Sequence, residues 1–138
     1  MKFLILNGPN LNMTGKREKG IYGAESLDDI NRYIDAYVRS MGDEAEFFQS
    51  NSEGELIDKI HSATSDAIII NAGAYTHYSY AIRDAIKCVD IPCVEVHMSN
   101  VFAREPFRRE SVISEVCKGT VAGMGKNSYI LAIMSFKL

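Results

Sequence analysis

Cysteine is scarce: Cys88, Cys93 and Cys117 form no CxxC pair and make an odd count. That fits reduced, buried thiols better than a disulfide frame or a zinc site. No apolar stretch reaches transmembrane length, and the N-terminus runs straight into a strand-like segment with no signal-peptide cleavage pattern, so a soluble, cytoplasmic protein without a membrane partner is expected. A basic excess is missing too. The formal net charge is −3, which argues against a general nucleic-acid binder. Repeats, linkers and low-complexity segments are absent, and 138 residues fit one domain, long enough to bury roughly two thirds of the surface its unfolded chain exposes.

Familiar chemical motifs are missing as well. Gly123-x-Gly125 has Ser128 where a dinucleotide fingerprint needs its third glycine, and it follows the last strand-like run, so it reads as a tight turn. No Walker loop, HExxH pair or GxSxG elbow occurs. His61 has no partner one helical turn on and reads as a surface histidine.

What is present is a set of short apolar runs, each ending in small or polar residues. Residues 3–6 run into Asn7-Gly-Pro-Asn10, residues 67–70 into Asn71-Ala-Gly-Ala-Tyr-Thr-His77, and residues 93–96 into His97-Met-Ser-Asn100. Between them the apolar period becomes helical. Ser26 with Asp29 resembles a capping box, and Leu27, Ile30, Ile34, Val38 and Met41 follow until Gly42. The spacing predicts further strands over 44–49 and 116–121. Helices are expected over 53–64, through Ala81, Ile82, Ala85 and Ile86, and through Tyr129, Ile130, Ile133 and Met134. Alternating β and α units imply an α/β fold, a three-layer, doubly wound, five-stranded parallel sheet in the flavodoxin-like order. The carboxyl ends of the strands then line one crevice, flanked by two long loops, 10–25 and 98–115, of the kind that bind ligands. Lys16, Arg17 and Lys19 in one loop, and Arg104, Arg108 and Arg109 in the other, favour a small anionic ligand in a mildly acidic protein.

The crevice residues suit proton transfer. His97 ends a strand, where an imidazole on rigid backbone can act as acid or base near neutral pH, or can serve as a structural histidine bonded to the sheet edge. Glu95, two residues earlier, faces the same side and either holds the ring in one tautomer or is a purely architectural carboxylate, which in either case needs a nearby donor. Tyr22 lies in a glycine-rich loop five positions after Arg17. A phenol becomes a base at neutral pH only if cations stabilise its phenolate; taken alone, a loop tyrosine and arginine read as ordinary surface residues.

Taken together, the blocks Leu4-Ile-Leu-Asn-Gly-Pro-Asn-Leu-Asn12, Arg17-Glu with Ile21-Tyr-Gly23, Gln49-Ser-Asn-Ser-Glu-Gly-Glu-Leu-Ile57, Ile70-Asn-Ala-Gly-Ala-Tyr-Thr-His77, Arg83-Asp-Ala85, and Glu95-Val-His-Met-Ser-Asn100 with Ala103-Arg-Glu105 and Phe107-Arg108 closely resemble type II 3-dehydroquinate dehydratase. The matched blocks run in order through nearly the whole chain. The resemblance implies a single flavodoxin-like catalytic domain, residues 1–138, that converts 3-dehydroquinate to 3-dehydroshikimate in the shikimate route, with neither metal nor organic cofactor. It implies a catalytic set of Tyr22, His97, Arg17, Asn10, Glu95 and Arg104. Tyr22, its phenol made acidic by Arg17 and Arg104, takes the proton next to the ketone. Asn10 holds a water against the enolate oxygen, and His97, oriented by Glu95, protonates the departing hydroxyl. Ser99 and the amides of Met98 and Ser99 would hold the substrate carboxylate, with Asn71, His77 and Arg108 on its hydroxyls. Asp84 would reach a neighbouring subunit's site, within trimers assembled into a dodecamer. Two departures from the family pattern are visible: Phe102 stands where a second histidine is usual, and Pro106 interrupts an acidic pair. Two rivals are a flavodoxin-like binder of FMN or another small anion without catalysis, and a purely structural oligomer. The first lacks a hydroxyl-rich phosphate loop after the first strand, and the second gives no reason for Tyr22, Arg17 and His97 to occur together.

Overall fold

Among the described residues five strands form one sheet: β1 (Lys2–Asn7), β2 (Glu44–Gln49), β3 (Ala67–Asn71), β4 (Cys93–His97) and β5 (Gly119–Ala122). The computed structural model describes residues 1–16 and 24–138. Strand order is β2-β1-β3-β4-β5 and every pairing is parallel, the flavodoxin-like arrangement that the alternating periods predict. β1, β3 and β4 are almost continuously buried because helices cover both faces of the sheet.

Alternate residues feed two cores. On one face Phe3, Ile5, Ile69, Val94 and Val96 pack against Ile30, Ile34 and Val38 of α1 (Leu27–Ser40) and Tyr129, Ile130 and Ile133 of α4 (Asn127–Met134). On the other, Leu4, Leu6, Ile68, Ile70 and Cys93 meet Leu56 and Ile60 of α2 (Glu53–Ser62) and Ile82, Ala85 and Ile86 of α3 (Tyr80–Cys88). Because side chains alternate along a strand, Glu95 and His97 share the α2/α3 face with Cys93. Each of α1, α2 and α3 starts at a serine whose hydroxyl accepts an orphan backbone N–H: Ser26 from Asp29, Ser52 from Glu55 and Ser79 from Ile82. At Ser26 the box is reciprocal, since Asp29 accepts from the Ser26 amide.

Two expectations need correction. The fifth strand begins at Gly119, not at residue 116: residues 114–116 form a 3₁₀ turn, closed by the Val116 and Cys117 amides on Ile113 and Ser114, and pairing starts only at Val94 with Gly119. The cysteines are free but not uniformly buried. Cys93 is in the core, Cys117 half-buried, and Cys88 exposed at the last position of α3, on its solvent side. The contact with Cys117, burial and the Glu95 charge push the Cys93 thiol well above its ordinary value, so it is an inert core thiol. Gly123 and Gly125 form the turn expected, with φ of 92° and 58°. His61 is exposed, as expected.

One polar bridge crosses the core under the carboxyl ends of β1 and β3. The Tyr129 hydroxyl, fully buried, donates to Asn7 Oδ1 at 2.6 Å and accepts from Asn71 Nδ2 at 3.0 Å. Asn7 and Asn71 are paired across the two strands, so the phenol ties the last rung of the ladder to α4. Burial raises the Tyr129 pKa far enough to keep the phenol protonated. Tyr129→Phe strands both amides in the interior and should cost about 1–3 kcal/mol of stability, measured by urea unfolding; an unchanged midpoint would mean that the bridge contributes nothing.

Candidate active site

The carboxyl ends of β1, β3 and β4 open onto a cleft of about 570 Å³ at the point where the strand order reverses. Its walls form by close approach of two loops. The Gly8 amide continues the ladder onto the Asn71 carbonyl at 2.8 Å, and a Cβ at residue 8 would sit 2.6 Å from the Ala72 carbonyl carbon, so only glycine lets the loops after β1 and β3 touch. Asn10 follows with a left-handed φ of 69°, held by its amide's 2.9 Å bond to Asn51 Oδ1. Such a conformation is uncommon outside glycine but easier for asparagine. On the far side, the Gly123 and Gly125 amides donate to the carbonyls of His97 and Met98, and so hold the loop after β4 against the turn after β5.

The side chains that reach the cleft come from all three loops. Asn10 lines it after β1, Asn71 and His77 after β3, and His97, Met98 and Ser99 after β4. Asn71 is oriented by its bonds, its Oδ1 accepting from the Gly73 amide at 3.3 Å while Nδ2 meets Tyr129. His77 Nδ1 lies 2.7 Å from the Glu110 carbonyl. A carbonyl only accepts, so Nδ1 carries the proton and Nε2 is the other, accepting nitrogen of the neutral ring. Burial holds the His77 pKa below its ordinary value, helped by His97 and Arg108, against the opposing pull of the Glu110 carbonyl and the Glu95 charge. Its ring stacks at 6.4 Å and 17° on that of His97 and meets Phe107 edge-on.

His97 is 7% exposed and bonded through Nε2 to Glu95 Oε2 at 2.5 Å. Nδ1 is then the ring nitrogen left to exchange a proton with a ligand. Glu95 is only 2% exposed, and burial alone would push its carboxyl up; the bonds from His97, Ser114 and Ser111 outweigh this and hold it below its ordinary value. An ionised carboxylate thus balances the charge that the ring carries when protonated. Among the described residues, two guanidinium groups reach the cleft. Arg104 donates to Ser99 Oγ at 3.3 Å, and Arg108 bonds Glu105 through Nε and Nη2 while its guanidinium covers the Phe107 ring. Amides, arginines and a carboxylate-backed imidazole together suit an anionic, oxygen-rich ligand undergoing proton transfer.

A family model described as Dehydroquinase class II matches residues 1–137. The 3-dehydroquinate dehydratase of Caldicellulosiruptor bescii is 58% identical over 139 residues, spanning 99% of this chain and 96% of that protein. The one from Thermotoga neapolitana is 54% identical over 133 residues, spanning 96% and 92%. The crystal structure of the type II dehydroquinase from Butyrivibrio crossotus aligns at a TM-score of 0.97 and 50% identity, covering 100% of this chain and 98% of that one. This chain belongs to the class II dehydroquinase family.

Of the residues that the resemblance to class II dehydroquinases singles out, Asn10, Asn71, His77, His97, Met98, Ser99, Arg104 and Arg108 meet in the cleft. Glu95 lies behind His97. Asp84 stands exposed on α3, outside the cleft lining, and Arg17 and Tyr22 lie outside the described residues. The two departures are accommodated: Pro106 opens the 3₁₀ turn Pro106–Arg109, where its fixed φ and missing N–H are harmless, and Phe102 is 66% exposed. Sequence reasoning missed Asn51, Tyr129, Ser111 and Ser114, because none lies in a local pattern with the residue it holds. Glu95→Gln gives a test with a definite sign. A folded value depressed below the ordinary 4.5 adds stability that is present above that pH and lost as pH falls through the folded value. The variant should be less stable than the parent by roughly 1–3 kcal/mol near neutrality, and the gap should narrow as pH falls below 4.5; a gap independent of pH in urea unfolding would contradict an ionised Glu95.

Proposed function

We propose that this chain is a hydro-lyase that dehydrates 3-dehydroquinate to 3-dehydroshikimate and water in the shikimate route to aromatic compounds, acting as one catalytic domain over residues 1–138. The observation that carries the proposal is the end-to-end match to relatives named 3-dehydroquinate dehydratase. The cleft's chemistry supports it. The substrate is a carboxylate with several hydroxyls, and arginines, amide donors and the Ser99 hydroxyl line the space it would fill.

In this proposal the reaction is an anti elimination through an enolate. Tyr22, with its phenolate stabilised by Arg17 and Arg104, removes the proton next to the ketone. Asn10 fixes a water against the enolate oxygen, a preorganised arrangement in which the charge is met as it develops. His97 then delivers a proton to the departing hydroxyl, and Glu95 keeps the ring oriented. Ser99 with the Met98 and Ser99 amides takes the substrate carboxylate, and Asn71, His77 and Arg108 take hydroxyls. His77 fits that duty, since its depressed pKa leaves a neutral ring able to accept a hydrogen bond. We also propose trimers assembled into a dodecamer, with Asp84 reaching a neighbour's cleft; its exposure on α3, outside its own cleft, supports this. Free cysteines suit a cytoplasmic location.

The direct test is the rise of enone absorbance when the protein is mixed with 3-dehydroquinate, and its absence would sink the proposal. Tyr22→Phe should abolish turnover while substrate still binds. His97→Ala should lose about 10²–10⁴-fold in kcat, less with substrates whose leaving group needs little protonation. An equal loss for every leaving group would make His97 structural.

A further inference from the structure

The Glu95 carboxylate has more partners than the orientation of His97 requires. Oε2 meets His97, while Oε1 accepts from Ser111 Oγ at 2.8 Å and from Ser114 Oγ at 2.5 Å. Both serines come from the loop between β4 and β5, 16 and 19 residues beyond Glu95. We propose that Ser111 and Ser114 are positioning residues for the reaction, acting through Glu95 to fix the geometry and charge of the acid His97; this rests on the role given to His97 above.

Counting donors shows that neither hydroxyl is placed by chance. Each serine has one proton to give. Ser111 directs its proton to Glu95 because its lone pairs accept the amides of Ile113 and Ser114 at 3.3 and 3.1 Å. Those two bonds fold the chain into the turn that brings Ser114 to the same oxygen. With the Ser114 proton also on Glu95, the 3.4 Å contact to Thr120 Oγ1 has Thr120 as donor. The serines therefore face the carboxylate with protons fixed by backbone and by β5, and Glu95 cannot rotate without breaking three bonds at once. An anion on which three donors converge stays ionised in a buried position where burial alone would protonate it. Once neutral, Glu95 would neither hold the Nε2–H tautomer nor balance a protonated ring.

Other charged and titratable groups surround the pair. His77 stacks on His97, Arg104 and Arg108 share the cleft, Arg109 lines the hollow beside Ser111 and Ser114, and Cys93 lies on the same strand face with Cys117 against it. The Ser114 hydroxyl is placed by Glu95 and Thr120, so a shift seen in Ser114→Ala belongs to that hydroxyl.

The experiment compares Ser114→Ala, Ser114→Thr and the double variant Ser111→Ala/Ser114→Ala with the parent. Ser114→Ala should move the acid limb of the kcat profile to higher pH, and the double variant should move it further. In the double variant kcat should fall on the order of tenfold to a hundredfold, part of the roughly 10²–10⁴-fold that a general acid contributes, with KM unchanged. Ser114→Thr, which keeps the hydroxyl, should restore the limb. Because Ser111 also shapes its turn, carbon NMR titration of the Glu95 carboxyl in the folded single variant Ser114→Ala supplies a readout independent of turnover, and it should titrate at higher pH than in the parent. An acid limb and a Glu95 titration both unchanged in Ser114→Ala, in an enzyme that still loses activity on His97→Ala, would overturn the positioning role alone. A parent without dehydratase activity, or full activity in His97→Ala, would remove the functional reading on which it rests.

Discussion

A carboxylate buried inside a parallel sheet must be met by donors on every side, and Glu95 sets that requirement here. At 2% exposure it tolerates a negative charge only because His97, Ser111 and Ser114 converge on its two oxygens. Meeting it ties together the end of β4, the loop that follows and the start of β5. The same satisfaction fixes the plane and proton of the His97 ring, so a condition of folding and a condition of proton transfer are one set of hydrogen bonds.

The sheet supplies the rigid frame for that set. Parallel strands with the β2-β1-β3-β4-β5 order bring three loop starts to one edge, and two devices hold them at working distance. Gly8 lets the loops after β1 and β3 come into backbone contact, and Tyr129 pins the Asn7 and Asn71 pair from beneath. Asn71 thus faces the cleft with its amide already oriented, as His77 does through the Glu110 carbonyl. Preorganised polar groups of this kind need not reorganise when charge develops on a ligand.

Local patterns in the sequence foretold local structure well. The Ser26 and Asp29 box, the helical stripe from Leu27 and the apolar runs of β1, β3 and β4 are consequences of spacing over a few residues, and the structure reproduces them. Glu95 beside His97 was legible for the same reason, since residues two apart share a strand face. The fifth strand is shorter than its apolar run, which Val116 and Cys117 extend, because the turn that claims them depends on Ser111 and Ser114 meeting a carboxylate far back in the chain. Tyr129 pairs with Asn7 across 122 positions, and no periodicity carries information over that distance. Asp84 shows the opposite limit: the resemblance marks it, yet within one chain it is exposed and outside the cleft lining.

The central claim is that an ionised Glu95 fixes the His97 ring with its proton on Nε2. Nitrogen NMR of histidine-labelled protein, recorded where the rings are neutral, reads that tautomer directly. A protonated Nε2 on His97 that loses this preference in Glu95→Gln is the predicted result; a proton on Nδ1, or a tautomer indifferent to residue 95, would contradict it.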